Sequence, residues 1–262
     1  MIGYIIAFGF LIVVVYQRKK RKKRKKFQHK PIAPAWRTIL QKRVYFYRQL
    51  NEQGKRQFEN DVQEFLASIK ITGVKTEITL VDKLLVASSA VIPLFGFPRC
   101  TYRNLEEVII YPTSFNRWFQ LDDPDERING MVGSGILEGK VLFSKPALHA
   151  GFDINDDQDN VGLHEFIHIF DKENGFIDGV PPGFEKRSFA IPWLQFIHQK
   201  IAEIEEQDSD IHVYATNSQQ EFFAVAGEYF FESPHLLKAK HPILYRSLMK
   251  AFSIDTAAVL AK

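Results

Sequence analysis

The chain has 262 residues, 45% of them apolar, which suffices for one globular domain with a sizeable core or for two small ones. Its net charge of +3 hides nine consecutive cations, Arg18 to Lys26; without them the remainder stands at −6, which excludes the general basic surface of a nucleic-acid reader. The single cysteine, Cys100, excludes an internal disulfide and a thiolate-held metal cluster, and it points to a reducing compartment.

Residues 1–16 (MIGYIIAFGFLIVVVY) are uncharged and apolar, and as a helix they would span about 24 Å, slightly short of a bilayer core. Interfacial tyrosines and snorkelling cations can cover the difference. The cations follow the apolar run instead of preceding it, so the pattern fits an uncleaved anchor better than a cleavable signal peptide. A single-pass anchor in the inner (cytoplasmic) membrane is expected, with the rest of the chain facing the cytoplasm. Residues 17–35 form a basic linker that would be drawn to anionic lipid, and its end (FQHKPIAPA, 27–35) carries two prolines. The domain proper is expected over 36–262. Helices are predicted over 36–50 and 54–70, a strand over 71–80, a buried helix over 82–95, a core strand over 106–111 and a strand near a sheet edge over 139–144. From 159 on the chain reads mostly as helix. This order gives an α+β class, helix-rich with a small mixed sheet.

The stretch GLHEFIHIFDKENG (162–175) carries the chemistry. Asp159 and Asn160 are good helix starts, Gly175 a good stop, and apolar residues 163, 166, 167 and 170 keep helical spacing. On that helix His164 and His168 stand one turn apart and can converge on one ion, as tetrahedral zinc requires. Glu165 lies about 100° around the helix, where it cannot easily ligate but can reach a water on the metal as general base. The competing reading is a core helix with two satisfied histidines. Two histidines and two acids in eight residues of an apolar helix need partners if buried, and zinc supplies one for two of them.

A catalytic zinc needs a third protein ligand. The extended pattern with a third histidine fails, since Asp171 and Asn174 stand at the glycine and histidine positions. The candidates are Asp171, Asp178, Glu185, His198, Glu203, Glu205, Glu206, His212, Glu221 and Glu228. Glu203, Glu205 and Glu206 read as the solvated face of an amphipathic helix, and His198 as a packed side chain. Glu221 stands out because EFFAVAGEYFF (221–231) is apolar nearly all round and therefore buried, and a buried carboxylate that stays charged needs an ion or strong donors. Glu228, two turns on, shares its face and would support a ligand from behind. Asp171, Asp178 and His212 stay open as alternatives. Asp171 could instead orient a ligand histidine through its second nitrogen, or cap the helix.

The stretches LHEFIHIFD with DGVP after it, EFFAVAGEYFFESP downstream and LLVASSAVIPLF…VIIYPTSF upstream resemble the glucose-regulated metallopeptidases typified by Mlc titration factor A, over residues 37–250 or so. The resemblance implies a zincin-like domain, zinc held by His164, His168 and Glu221, Glu165 as the catalytic glutamate, and a leaning toward aminopeptidase activity. A weaker similarity to the anthrax lethal factor catalytic domain implies that Tyr214, seven residues before Glu221, stabilises the oxyanion.

The expected chemistry is peptide hydrolysis: zinc lowers the pKa of water toward about 7, Glu165 takes the proton and later delivers it to the leaving amine. Residues 139–144 are the strand expected to lie over the cleft and pair with extended substrate, by analogy. The expected partners are a peptide or protein substrate, the membrane through the N-terminal segment, and a transcriptional regulator, with no nucleic acid. The alternative function is a membrane-tethered binding protein that sequesters such a regulator with little or no turnover.

Overall fold

Thr79 opens the helix around which the domain is built. Its hydroxyl accepts from the Asp82 backbone N–H at 3.2 Å while its own N–H donates to Asp82 Oδ2 at 2.7 Å, a reciprocal cap that satisfies two otherwise orphaned donors. The computed structural model describes residues 31–97, 101–121, 123–154, 157–184 and 186–260, except the side chain of Arg187. The expected anchor and basic run, with Cys100 and Glu185, lie outside these residues. Among the described residues no helix is long and apolar enough to cross a membrane.

The folded unit, Pro34–Lys262, is helix-rich α+β with a small mixed sheet. Three helices come first: α1 (Pro34–Arg43), α2 (Tyr45–Gln49) and α3 (Glu52–Ser68). The helix expected over 36–50 is thus broken, because Val44 is extended (φ −108°, ψ 101°). Strand β1 (Lys70–Gly73) leads to α4 (Leu80–Leu94), which is buried on every side beyond its first turn, and then to β2 (Glu107–Tyr111). The expected strand 71–80 stops early. The chain turns at Lys75, whose φ is 55°, and Thr79 is already committed to capping α4.

Strands β3 (Gly130–Val132) and β4 (Lys140–Ser144) complete a four-stranded sheet in the order β1-β2-β4-β3. The β1/β2 and β2/β4 pairs are parallel, and β3 runs antiparallel to β4. Residues 139–144 are therefore not an edge strand. They pair on both sides, and β3 occupies the edge.

Asp82 is fully buried and receives Lys145 Nζ at 2.8 Å and His149 Nε2 at 2.7 Å from α5 (Lys145–Asp153), so one carboxylate ties α4 to the helix after the sheet. Burial opposes its charge, but these donors outweigh burial and hold its pKa below the ordinary value. Its stabilising contribution is thus complete above about pH 4, the unfolded value, and is lost as pH falls through the lower folded value. Asp82→Ala is expected to cost about 2–4 kcal/mol at neutral pH, by losing the cap and stranding two donors. Unfolding free energies from urea titration at pH 7 that agree within about 0.5 kcal/mol for wild type and variant would contradict this.

The remaining helices are α6 (Val161–Asp171), α7 (Arg187–Glu205), α8 (Gln219–Glu232), α9 (Pro234–Lys240), α10 (Pro242–Ala251) and α11 (Thr256–Val259). The inner face of the sheet buries Val108, Ile110, Val141 and Phe143 completely, and the Phe143 ring lies 6.1 Å from Phe166 on α6. Helices α6 and α8 approach closely at Gly227, where a Cβ would sit 2.6 Å from Ile167 Cδ1. Beneath them Phe252 gathers Phe170 of α6 (5.2 Å) and Phe223, Phe230 and Phe231 of α8 (4.9–5.7 Å).

Candidate metal centre

Asn160 starts α6 by accepting the Leu163 N–H at 3.1 Å, and this cap sets which residues of the helix face outward. Leu163, Phe166, Ile167 and Phe170 go to the core, leaving His164 and His168 one turn apart on the adjoining face, edge to face with ring centroids 4.7 Å apart. Ser218 does the same for α8, accepting the Glu221 N–H at 3.2 Å and holding Glu221 in the first turn.

These two helix starts bring three donors together. His164 Nε2 lies 2.8 Å from Glu221 Oε2, His168 Nε2 lies 3.1 Å from His164 Nε2, and His168 Nε2 lies 3.4 Å from the same Glu221 oxygen. Each of the three residues offers one ligand atom, and these atoms fall within 4.8 Å of one another, so the set could hold a metal ion. Two imidazoles and a carboxylate are a donor set that zinc favours.

Behind His164, Glu228 Oε1 lies 2.7 Å from its Nδ1, which places a proton there when Nε2 serves as a ligand. The other Glu228 oxygen accepts the Asn160 backbone N–H at 2.6 Å, and the Asn160 amide reaches both the Gly151 carbonyl and Glu232 Oε1. Asn160 thus caps the histidine helix and fixes the carboxylate behind it. Burial disfavours charge on His164, yet Glu228 and Glu221 outweigh it and raise the His164 pKa well above the ordinary value. Burial likewise opposes charge on Glu221, but hydrogen bonds from His164 and His168 prevail and bring it down to about 2.

Glu165 has a different environment. It is 7% exposed, faces the cleft, and no hydrogen bond holds its carboxylate among the described residues. Burial raises its pKa, the direction a proton acceptor working near neutral pH needs. Gly130 of the edge strand passes directly over it, so close that a Cβ there would lie 2.7 Å from Glu165 Oε1 and 2.4 Å from Val161 Cγ2. The cleft between β3 and α6 has a volume of about 710 Å³ and is also lined by Tyr214 and His212. Tyr214 is half exposed, with its ring 5.7 Å from that of His164.

Other candidates are placed elsewhere. Asp171 is fully buried, and its Oδ2 accepts the Gly179 N–H at 2.8 Å, fastening the loop after the helix. Among the described residues its Oδ1 and His168 Nδ1 are both buried without a hydrogen-bond partner, so the bond from Asp171 to a ligand histidine, one of its two candidate roles, is not formed. Asp178 accepts from Val180 N, His198 meets Gln219, and His212 Nδ1 accepts from Tyr214 N. Glu203 pairs with Lys200, while Glu205 and Glu206 are exposed. Sequence reasoning missed Glu232 and the central part played by Asn160. The i, i+4 spacing of Glu228 and Glu232 on an apolar helix was the available signal for Glu232.

A three-donor centre made by two histidines one turn apart on one buried helix and a carboxylate in the first turn of another, beside a sheet edge in a helix-rich α+β domain, is an arrangement suited to a metallohydrolase. Residues 17–253 match the model of the glucose-regulated metallo-peptidase M90 family, and the chain belongs to that family. Among its relatives, the uncharacterized protein slr2042 of Synechocystis sp. is 27% identical over 244 residues, covering 88% of each chain. Mlc titration factor A of Yersinia enterocolitica is 32% identical over 173 residues, 61% of this chain and 62% of that protein. The Yersinia pestis protein of the same name is 30% identical over the same length.

Proposed function

We propose that the protein is a zinc-dependent peptidase with a zincin-like catalytic domain. The observation that carries this reading is the convergence of His164, His168 and Glu221 beside a Glu165 that no hydrogen bond holds among the described residues. His164, His168 and Glu221 would hold the metal. When bound, a zinc ion supplies a Lewis acid that polarises a carbonyl and lowers the pKa of water toward about 7. Glu165 accepts the proton of the attacking water and returns it to the leaving amine. Tyr214 donates its hydroxyl to the oxyanion that develops. Strand β3, with Gly130 over Glu165, offers its free edge to an extended peptide, a role assigned on sequence to residues 139–144. Loss of cleavage of a peptide library on chelation, with recovery on adding zinc, tests the reading; undiminished cleavage in the chelated protein would refute it.

Glu228 acts through His164, keeping the proton on Nδ1 and the ring in place. Glu228→Gln is expected to weaken zinc binding about 10- to 100-fold, as losses of outer partners commonly do. Competition with a chromogenic chelator measures it, and an unchanged affinity would show that Glu228 serves only to pack α8.

Two further elements complete the proposal. The apolar run 1–16 and the cations after it attach the chain to the cytoplasmic membrane, with the catalytic domain on the cytoplasmic side; recovery of the full chain in a salt-washed soluble fraction would count against attachment. A second reading, sequestration of a transcriptional regulator, is favoured by the name Mlc titration factor A carried by two relatives. It predicts that Glu165→Gln protein still retains the regulator, and that wild type turns over neither peptides nor aminoacyl reporters.

A further inference from the structure

Among the described residues, the cleft over Glu165 has one exposed Arg or Lys in its wall, and no ion pair holds it. Arg127 lines the cleft, and no carboxylate among the described residues pairs with it. The neighbouring Arg117, by contrast, is matched by Glu126 at 3.0 Å. Its position is fixed by the next residue. Ile128 exchanges two backbone hydrogen bonds with Phe115, at 2.7 and 3.1 Å, and its side chain packs against the cluster of Tyr111, Phe115 and Leu142 on the outer face of the sheet. On the other side, Asn129 is held by its carbonyl, which accepts from Ser144 N at 2.7 Å. Arg127 is therefore a guanidinium on a fastened stretch of backbone just ahead of the edge strand, and further donors, Thr113, Ser114 and Asn129, border the same cleft.

The distance along the strand says what such a group can read. Gly130 marks the reacting centre, since it lies against Glu165. Arg127 precedes it by three residues, roughly 10 Å of extended chain at about 3.3 Å per residue. A peptide added to the free edge of β3 pairs somewhat more stably in the antiparallel sense. In that sense a peptide paired with Gly130–Val132 runs, beyond the bond over Glu165, toward Arg127, and it leaves the edge there because Phe115 already pairs with Ile128.

We propose that Arg127 is a specificity residue that recognises a substrate carboxylate two to three residues beyond the scissile bond, either the free C-terminus of a short peptide or an Asp or Glu side chain. This rests on the peptidase reading above. A planar guanidinium suits a carboxylate because it can bind it in a bidentate, charge-assisted manner.

The test uses labelled peptides of one neutral sequence in three forms: with a free C-terminus, with a terminal amide, and amidated with a single Glu placed at successive positions. Binding to the full-length, zinc-loaded Glu165→Gln protein is read by fluorescence anisotropy, and cleavage positions in the wild type by mass spectrometry. One of the carboxylate forms is expected to bind about ten-fold more tightly than the neutral amide, and which form does so identifies the source. That ratio should fall to within about two-fold in the Arg127→Gln, Glu165→Gln double variant and be partly retained with Arg127→Lys. Peptides that bind with no carboxylate preference, or a preference undiminished by Arg127→Gln, overturn the role of Arg127 alone. Failure of every peptide to bind removes the peptidase reading and this inference with it.

Discussion

Glu221→Ala protein is expected to leave purification with essentially no zinc, and its affinity should fall by more than about 100-fold, beyond the range typical of outer partners. Glu221 is the only donor that α8 contributes to the triad, and its oxygen lies 2.8 Å from His164 Nε2 and 3.4 Å from His168 Nε2. Without it two imidazoles remain, one short of the three protein ligands a catalytic zinc site needs. Global folding should survive, since α8 is fixed by its buried phenylalanines and by Gly227 against Ile167, none of which involves Glu221. Elemental analysis beside a circular-dichroism melt separates the two effects. Stoichiometric zinc in the variant would move the third ligand elsewhere and remove the main support for the proposed centre.

Glu165→Gln should do the opposite, keeping the metal and losing the chemistry. The side chain is nearly the same size, so the contact with Gly130 is preserved, while an amide cannot take a proton. General acid–base groups of this kind contribute about 10²- to 10⁴-fold, and a fall in kcat of that order is expected with zinc content unchanged. A variant retaining more than about a tenth of wild-type kcat would mean that another group accepts the proton. Such a result would also favour the sequestering alternative if wild-type turnover itself proved negligible.

How far the sequence discloses this site depends on the kind of signal each residue leaves. The histidine helix is legible because three local signals agree: the cap at Asn160, apolar spacing at 163, 166, 167 and 170, and a stop at Gly175, which indeed takes φ 110°. Glu221 is legible for another reason, since a carboxylate in an apolar helix demands a partner. Spacing could place Asp171 on the histidine face but not decide between two acceptors' uses; the N–H of Gly179, eight residues on, settles which way the carboxylate turns. Strand β3 left almost no trace. It is three residues long, too short for alternation to register, and its absence from the sequence reading is what pushed 139–144 to the edge. Arg127 is invisible for a related reason, because its place in the cleft depends on the long-range pairing of Ile128 with Phe115.

The phenylalanine cluster around Phe252 has a bearing on how the centre would be filled. Those rings clamp α6 and α8 from below, so the donors already stand in register before any cation arrives. Loading is then a matter of exchanging protons for an ion in a finished cradle, and the empty and filled protein should differ in reactivity far more than in shape.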